Sequence, residues 1–322
     1  MSASPQAVTL GELLIDFVPQ EHGASLAEAA SFVKAPGGAP ANVAVGLARL
    51  GVRAGFVGKV GDDPFGHFLA GVLADNAVDV SRLSFDTQAR TALAFVSLTS
   101  GGERDFLFYR NPSADMRFRP DEVDEAYIGG ASLLHIGSIS LIQEPSRAAT
   151  LRALDIADAH GLLVSYDANL RLPLWPSTDA AREGIRSVWR RAQLIKISED
   201  ELEFLTGSRD MGAARMLRHE RLRLLVVTRG DAGVWYLTRQ GEGEVAGYRV
   251  DAVDTTGAGD AFTAALLASL LENDALEKDR RALDAALRRA NAYAALTTTH
   301  LGAIPALPSR AELEAFLEEP ER

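Results

Sequence analysis

At 322 residues, 47% of them apolar, the chain is long enough to bury a large core and matches one big α/β domain with a small insertion. Its 33 basic and 44 acidic residues leave a formal net charge of −11, which argues against a nucleic-acid or anionic-membrane surface, so local groups must hold any phosphate ligand. The absence of cysteine excludes disulfides and thiolate metal sites, and the six histidines show no metal-ligand spacing. No basic segment precedes the first apolar run and no such run is bilayer-length, so a soluble cytoplasmic protein is expected.

In chain order, Val8 to Val18 reads as a strand interrupted by Gly11 and carrying Asp16 near its end. An acid inside such a run either pairs or turns the chain, or accepts hydrogen bonds from ligand hydroxyls. Gly37 and Gly38 then lead into a helix with the small face Ala44, Gly46 and Ala48, and Asn42 offers a donor and an acceptor near its start. Two alternating runs, Thr91 to Thr99 and Phe106 to Arg110, are joined by Ser100-Gly101-Gly102-Glu103 and read as a hairpin. Lid strands are expected from about 12–35 and 91–112 of a single domain spanning 1–322, with the hairpin excluding water from the chemistry. Arg110 either faces the site from the strand end or is solvated or ion-paired.

From Ser132 onward, short apolar runs alternate with helical patterns, as buried parallel strands do: Leu133 to Ile136, Leu162 to Tyr166, Leu194 to Ile197 and Leu222 to Val227. Their C-terminal ends carry Gly137-Ser138, Asp167 to Arg171, Ser198 to Glu201 and Thr228-Arg229-Gly230. Ligands of open parallel sheets bind at those ends, so four polar tips describe a site rim. The acids near Glu201 also suit a first helical turn, and Thr228 to Gly233 reads as a tight turn between strands.

The densest signal is Asp254-Thr255-Thr256-Gly257-Ala258-Gly259-Asp260, running into the apolar segment Ala261 to Leu271. Unpaired N–H groups in the first turn of a buried helix can hold a phosphate or a developing oxyanion. Asp260 either caps those groups or takes a proton from a bound hydroxyl. No Gly-Lys-Ser/Thr follows, so this is not a Walker-type phosphate loop. A long helix from Leu283 to Thr299 follows, mainly core by periodicity and carrying Asn291.

The stretch Asp254 to Leu267 resembles the C-terminal signature of the ribokinase-like, or PfkB, carbohydrate kinases. Gly37-Gly38 with Asn42 and Gly58 to Gly66 resembles their N-terminal signature. The resemblance implies a three-layer α/β/α domain with a mostly parallel sheet and a small β-sheet lid. It implies that Asp260 is the base, that Gly257, Ala258 and Gly259 form an anion hole, and that Asp16, Gly37, Gly38, Asn42, Arg110 and Asn169 line the sugar side. Arg171 would reach both sugar and nucleotide. Ser198, Thr228, Gly230, Gly233, Gly257, Gly259 and Asn291 would contact ATP, and Glu201 would help hold Mg2+ through water. Ser198 stands where the family usually has Asn. Asp254, Thr256 and Gly302 would surround a monovalent cation, K+.

Longer stretches, among them GELLIDFVP, KAPGGAPANVAVGLARLG and SYDANLRLPLWP, are similar to the fructokinase branch of plants and bacteria. The implied reaction converts ATP and D-fructose to ADP and fructose 6-phosphate. The alternatives are a related kinase for ribose or 2-keto-3-deoxygluconate, and a non-catalytic sugar-binding relative. Exposed edges of the lid, near Ser31 to Lys34 and Thr91 to Arg110, lead us to expect a homodimer formed through it.

Overall fold

A computed structural model describes residues 4–21, 23, 25–98 and 104–318. Among the described residues, thirteen strands form two sheets: β1 (Ala7–Leu10), β2 (Leu14–Pro19), β3 (Phe32–Gly37), β4 (Ala54–Gly61), β5 (Asp79–Asp86), β6 (Ala92–Leu98), β7 (Arg104–Tyr109), β8 (Leu133–Gly137), β9 (Leu163–Asp167), β10 (Leu194–Ser198), β11 (Leu224–Thr228), β12 (Val234–Thr238) and β13 (Glu242–Val245). The larger sheet has the order β13-β12-β11-β10-β9-β8-β1-β4-β5 and is parallel except where β12 runs against both neighbours. The smaller has the order β3-β2-β6-β7, with the β6–β7 hairpin as one half. Its turn, 99–103, lies outside the described residues.

The helices are α1 (Ala39–Arg49), α2 (Pro64–Asp75), α3 (Glu125–Gly129), α4 (Ser146–His160), α5 (Thr178–Ser187), α6 (Glu199–Thr206), α7 (Met211–Ala214), α8 (Ala258–Glu272), α9 (Arg280–Thr298) and α10 (Arg310–Glu318). Side chains alternate across a strand, so a sheet covered on both faces needs apolar residues at consecutive positions. Ala7, Leu133, Leu194 and Leu224 enter one core with α1, α8 and α9, while their neighbours Val8, Leu134, Ile195 and Leu225 enter the other with α4, α5 and α6. The result is the expected three-layer α/β/α arrangement with a mostly parallel sheet and a small second sheet. Among the described residues no helix is long and apolar enough to cross a membrane.

The expected strand from Val8 to Val18 is two strands in different sheets. Apolar residues carry on through both, and the exchange takes place over Gly11 to Leu13, at the glycine that interrupts the run. Asp16 thereby belongs to the small sheet, paired in register with Ala35 and Ala94. That sheet packs against α2 through an aromatic group: Phe17 stacks on Phe95 at 5.0 Å and meets Phe65 edge-on at 5.9 Å, while Lys34 Nζ lies 3.6 Å from the Phe68 ring centre. Its root is fixed by Asp63, whose Oδ1 caps α2 at Phe65 N and Gly66 N and accepts the Thr91 hydroxyl. Asp63 Oδ2 takes Thr91 N at 2.8 Å.

Candidate active site

The long apolar helix α8 runs into the core with residues 260–268 all buried, and its polar start lies at the ends of β9 and β10. Gly257 is its N-cap, with no side-chain capping bond and a left-handed φ of 79°. A side chain there would also meet Ala303 Cβ at 2.7 Å. Both facts confine this position to glycine. Asp260 is the third helical residue, so the simple capping alternative fails. Its Oδ2 instead accepts the Asn42 side-chain N–H at 2.7 Å, joining the start of α8 to the start of α1.

Asp260 is 8% exposed, and burial raises its carboxyl from 3.8 to about 6. The Asn42 bond lowers it, the nearby Asp167 raises it, and Lys196 and Arg171 lower it again. From the opposite sheet, Asp16 comes to the same place. Its carboxylate lies against the Gly37 backbone, and it is pushed to about 7 by burial, with Arg171 opposing and Asp254 and Asp260 adding to the rise. Gly38 packs on the Glu12 and Leu13 backbone. The structure thus gathers Asp16, Gly37, Asn42, Arg171 and Asp260 around one point between the two sheets. A buried carboxylate there, near neutrality in its proton affinity, can accept a hydroxyl proton.

On the other side of the α8 turn lies a cavity of about 560 Å³. Thr228, Gly230, Gly233, Ala258, Gly259 and Asn291 all line it, together with Tyr248 and Phe262. Asn291 is buried and donates from Nδ2 to Ala246 O at 2.9 Å, holding the segment after β13 that walls the cavity. Ser198 does not line it. Its hydroxyl caps α6 at Glu201 N, 3.2 Å, and the Glu201 carboxylate accepts Ser198 N at 2.8 Å and Leu170 N at 2.7 Å. This reciprocal cap ties the β10 end to the segment carrying Asn169 and Arg171. Asn169 takes a left-handed φ of 38° and donates its N–H to Asp167 Oδ1 at 3.1 Å.

Arg110 is buried rather than solvated. Its guanidinium is committed to Asp115 at the foot of β7, beside Glu12. Asp254, Thr256 and Gly302 do come together: Asp254 Oδ1 accepts Thr256 N at 2.9 Å and Oδ2 accepts Gly302 N at 2.9 Å. Among the described residues no group of three or more His, Cys, Asp or Glu is placed to hold a metal ion.

Sequence reasoning overlooked two buried groups, Lys196 and Glu12, and gave Asp167 only a place on the rim. Lys196 pairs with Asp167 at 3.1 Å beside the α8 turn. Burial alone would lower the lysine, but Asp167, Glu201 and Asp260 outweigh it and raise it. Glu12 accepts Ala39 N at 3.0 Å and is pushed to about 7 by burial. A charged residue inside an otherwise apolar strand was the available signal for Lys196, in Leu194-Ile195-Lys196-Ile197.

Comparison with known proteins agrees with this geometry. The model of the pfkB family carbohydrate kinase matches residues 4–310. Probable fructokinase-4 of Arabidopsis thaliana is 55% identical over 97% of this chain and 96% of its own. The crystal structure of fructokinase from Vibrio cholerae O395 in fructose-, ADP- and calcium-bound form superposes with a TM-score of 0.87 at 37% identity, covering 99% of this chain and 100% of that one. Fructokinase with bound ATP from Xylella fastidiosa gives 0.87 at 34% identity and 98% of each chain. A buried carboxylate at the start of a core helix, a small second sheet beside it, and a match along nearly the whole length lead to one conclusion: the chain belongs to the pfkB family of carbohydrate kinases.

Proposed function

We propose that this protein is an ATP-dependent fructokinase that phosphorylates the 6-hydroxyl of D-fructose, and that Asp260 is its general base. The observation that carries the assignment is the position of Asp260, buried between the sheets in the first turn of α8 and held by Asn42. The relatives named fructokinase, and the neighbours crystallised with ATP or with fructose and ADP, supply the substrates.

Asp260 is mostly ionised at neutral pH, so it accepts the proton of O6 as that oxygen attacks the γ-phosphorus. The new O6–P bond forms while the bond to the β-phosphate oxygen breaks and ADP leaves. The N–H groups of Gly257, Ala258 and Gly259 face the phosphoryl oxygens, and Arg171, between Asp16 and Asp260, adds positive charge. Asp16, Asn42 and the Gly37-Gly38 backbone take sugar hydroxyls, with Arg110 and Asn169 bordering that side. The cavity walled by Thr228, Gly233 and Asn291 takes the nucleotide, with Gly230 at its rim and Ser198 steadying the α6 turn nearby.

The donors present fit Mg2+ bound mainly through phosphate oxygens and water, with Glu201 in the outer shell, because Glu201 already accepts two backbone N–H groups and, among the described residues, no group of three or more acids is placed to hold a metal ion. Such an ion would neutralise phosphate charge. Asp254, Thr256 and Gly302 form a turn whose oxygens suit K+. The small sheet acts as the lid, and its edge strands, with Val33 on β3 and Leu107 and Tyr109 on β7 exposed, pair with a second copy.

ADP release measured over a panel of fructose, ribose and 2-keto-3-deoxygluconate at matched concentrations tests the substrate. A higher kcat/KM for either of the last two overturns the fructose assignment. Light scattering of a Leu107→Glu, Tyr109→Glu variant tests the pairing, since an undiminished dimer removes the lid from the interface.

A further inference from the structure

We propose that Lys196, clamped by Asp167, is a positioning residue for phosphoryl transfer: it fixes the first turn of α8 and places a permanent positive charge beside the base. The inference rests on Asp260 being that base and adds a residue to its machinery. Lys196 ends its reach against the anion-binding turn, because a Cβ placed on Gly259 would lie 2.9 Å from its Nζ. Only a glycine lets the ammonium approach the turn so closely. From there Nζ donates to Asp167 Oδ2 at 3.1 Å and Oδ1 at 3.4 Å. The Thr263 hydroxyl, one turn beyond Asp260, lies 3.4 Å from Asp167 Oδ2 and 2.9 Å from Gly259 O. Two strand ends, β9 and β10, are therefore stapled to the one helical turn that carries Gly259 and Asp260.

All three side chains are buried, with Lys196 7%, Asp167 2% and Thr263 1% exposed. A buried ion pair loses so much hydration that it is a poor source of net stability, and well-packed apolar side chains serve at least as well. Its effect on its surroundings is larger. The charged groups facing Asp260 are Asp167 from β9, Lys196 from β10, Arg171 from the following loop and Asp16 from the lid, while α1 offers the neutral Asn42. Asp167 and Lys196 act on Asp260 in opposite directions, and Asp16 answers to Arg171 rather than to Lys196.

The test is the acid limb of kcat/KM for fructose against pH in Lys196→Met, Asp167→Asn, the double variant and Lys196→Arg. Lys196→Met is expected to move the limb up by about one pH unit, as loss of a close opposite charge does, with activity largely recovered at high pH. Asp167→Asn is expected to move it down, the double variant to return near the wild-type position, and Lys196→Arg to stay there. Opposite displacements that cancel are not what a packing defect gives. A limb fixed in both single variants while turnover falls overturns the proposal, and so does a raised KM for ATP with the limb unmoved. If Lys196→Met does not fold, the limb positions of Asp167→Asn and the double variant decide between the same outcomes. Asp260→Asn is the control: should it turn over at the wild-type rate, the base assignment fails, whereas an inactive Asp260→Asn with an unmoved limb in the other variants refutes Lys196 alone.

Discussion

Asp260→Asn separates catalysis from stability more sharply than any other substitution. The amide matches the carboxylate in shape, and Asn42 can keep a hydrogen bond to it by turning its Oδ1, which has no partner, toward the new N–H. The fold should persist. Turnover should fall by about 10²–10⁴-fold, the usual contribution of a positioned general base. Stability should move the other way. A carboxyl raised from 3.8 in the unfolded chain to about 6 in the native one is penalised in the native state when ionised. Below pH about 4 both states are protonated and nothing is lost; the penalty grows as pH rises through 6 and levels off at about 3 kcal/mol. Asparagine carries no such penalty. Urea unfolding of both proteins at pH 5 and pH 8, without ligands, should therefore show the variant's advantage widening by about 1–2 kcal/mol. A gap that does not widen, or turnover within tenfold of wild type, refutes the reasoning.

The same carboxylates set the pH dependence: kcat/KM should decline below neutrality, and Asp16→Asn should raise KM for the sugar while leaving a limb near 6 that belongs to Asp260. Paired pH profiles of wild type and Asp16→Asn check this, and a variant without that limb contradicts it. Gly257→Ala forces a left-handed residue with a Cβ against Ala303, which should cost about 1–2 kcal/mol and at least tenfold in turnover, read from denaturant midpoints and ADP release. Asp63→Ala removes both the α2 cap and the two bonds to Thr91 at the lid root. It should destabilise by about 2–3 kcal/mol, whereas Thr91→Ser, which keeps the hydroxyl, should stay near wild type in the same unfolding measurement.

How much of this was legible in the sequence depended on how local the cause was. The parallel strands from Leu133 to Thr228 were found within about two residues of their ends, because a strand buried on both faces writes its burial into consecutive apolar residues. The turn before α8 was equally visible, since small residues before an apolar run have few other uses. The division of Val8 to Val18 between two sheets showed only as the interruption at Gly11, because apolar residues continue on both sides of it and only the strand partners differ. Among the readings open for Arg110, facing the site, solvated or ion-paired, the pairing holds, with Asp115 five positions on as the partner that the sequence did not name. The Lys196–Asp167 pair spans 29 positions and three elements, and no spacing rule connects residues whose strands become neighbours only when the sheet forms.

The values at the site follow from two opposed requirements on one carboxyl. In the proposed mechanism Asp260 sits under the small sheet, where water would otherwise compete for the phosphoryl group, and burial there raises its proton affinity. Left alone, that burial would leave the proposed base protonated at neutral pH and idle. Solvent exposure would yield one ionised but weakly basic. Asn42 from α1, Lys196 from β10 and Arg171 from the loop after β9 each favour the ionised form, and Asp167 opposes them, so Asp260 comes to rest near 6. A base is most effective close to the working pH, ionised in most molecules yet still with appetite for a proton. Because those four neighbours come from separate elements, any shift of α1 or of the β9 and β10 ends relative to α8 changes the proton affinity of Asp260. The chemistry is therefore tied to the packing of the whole sheet edge.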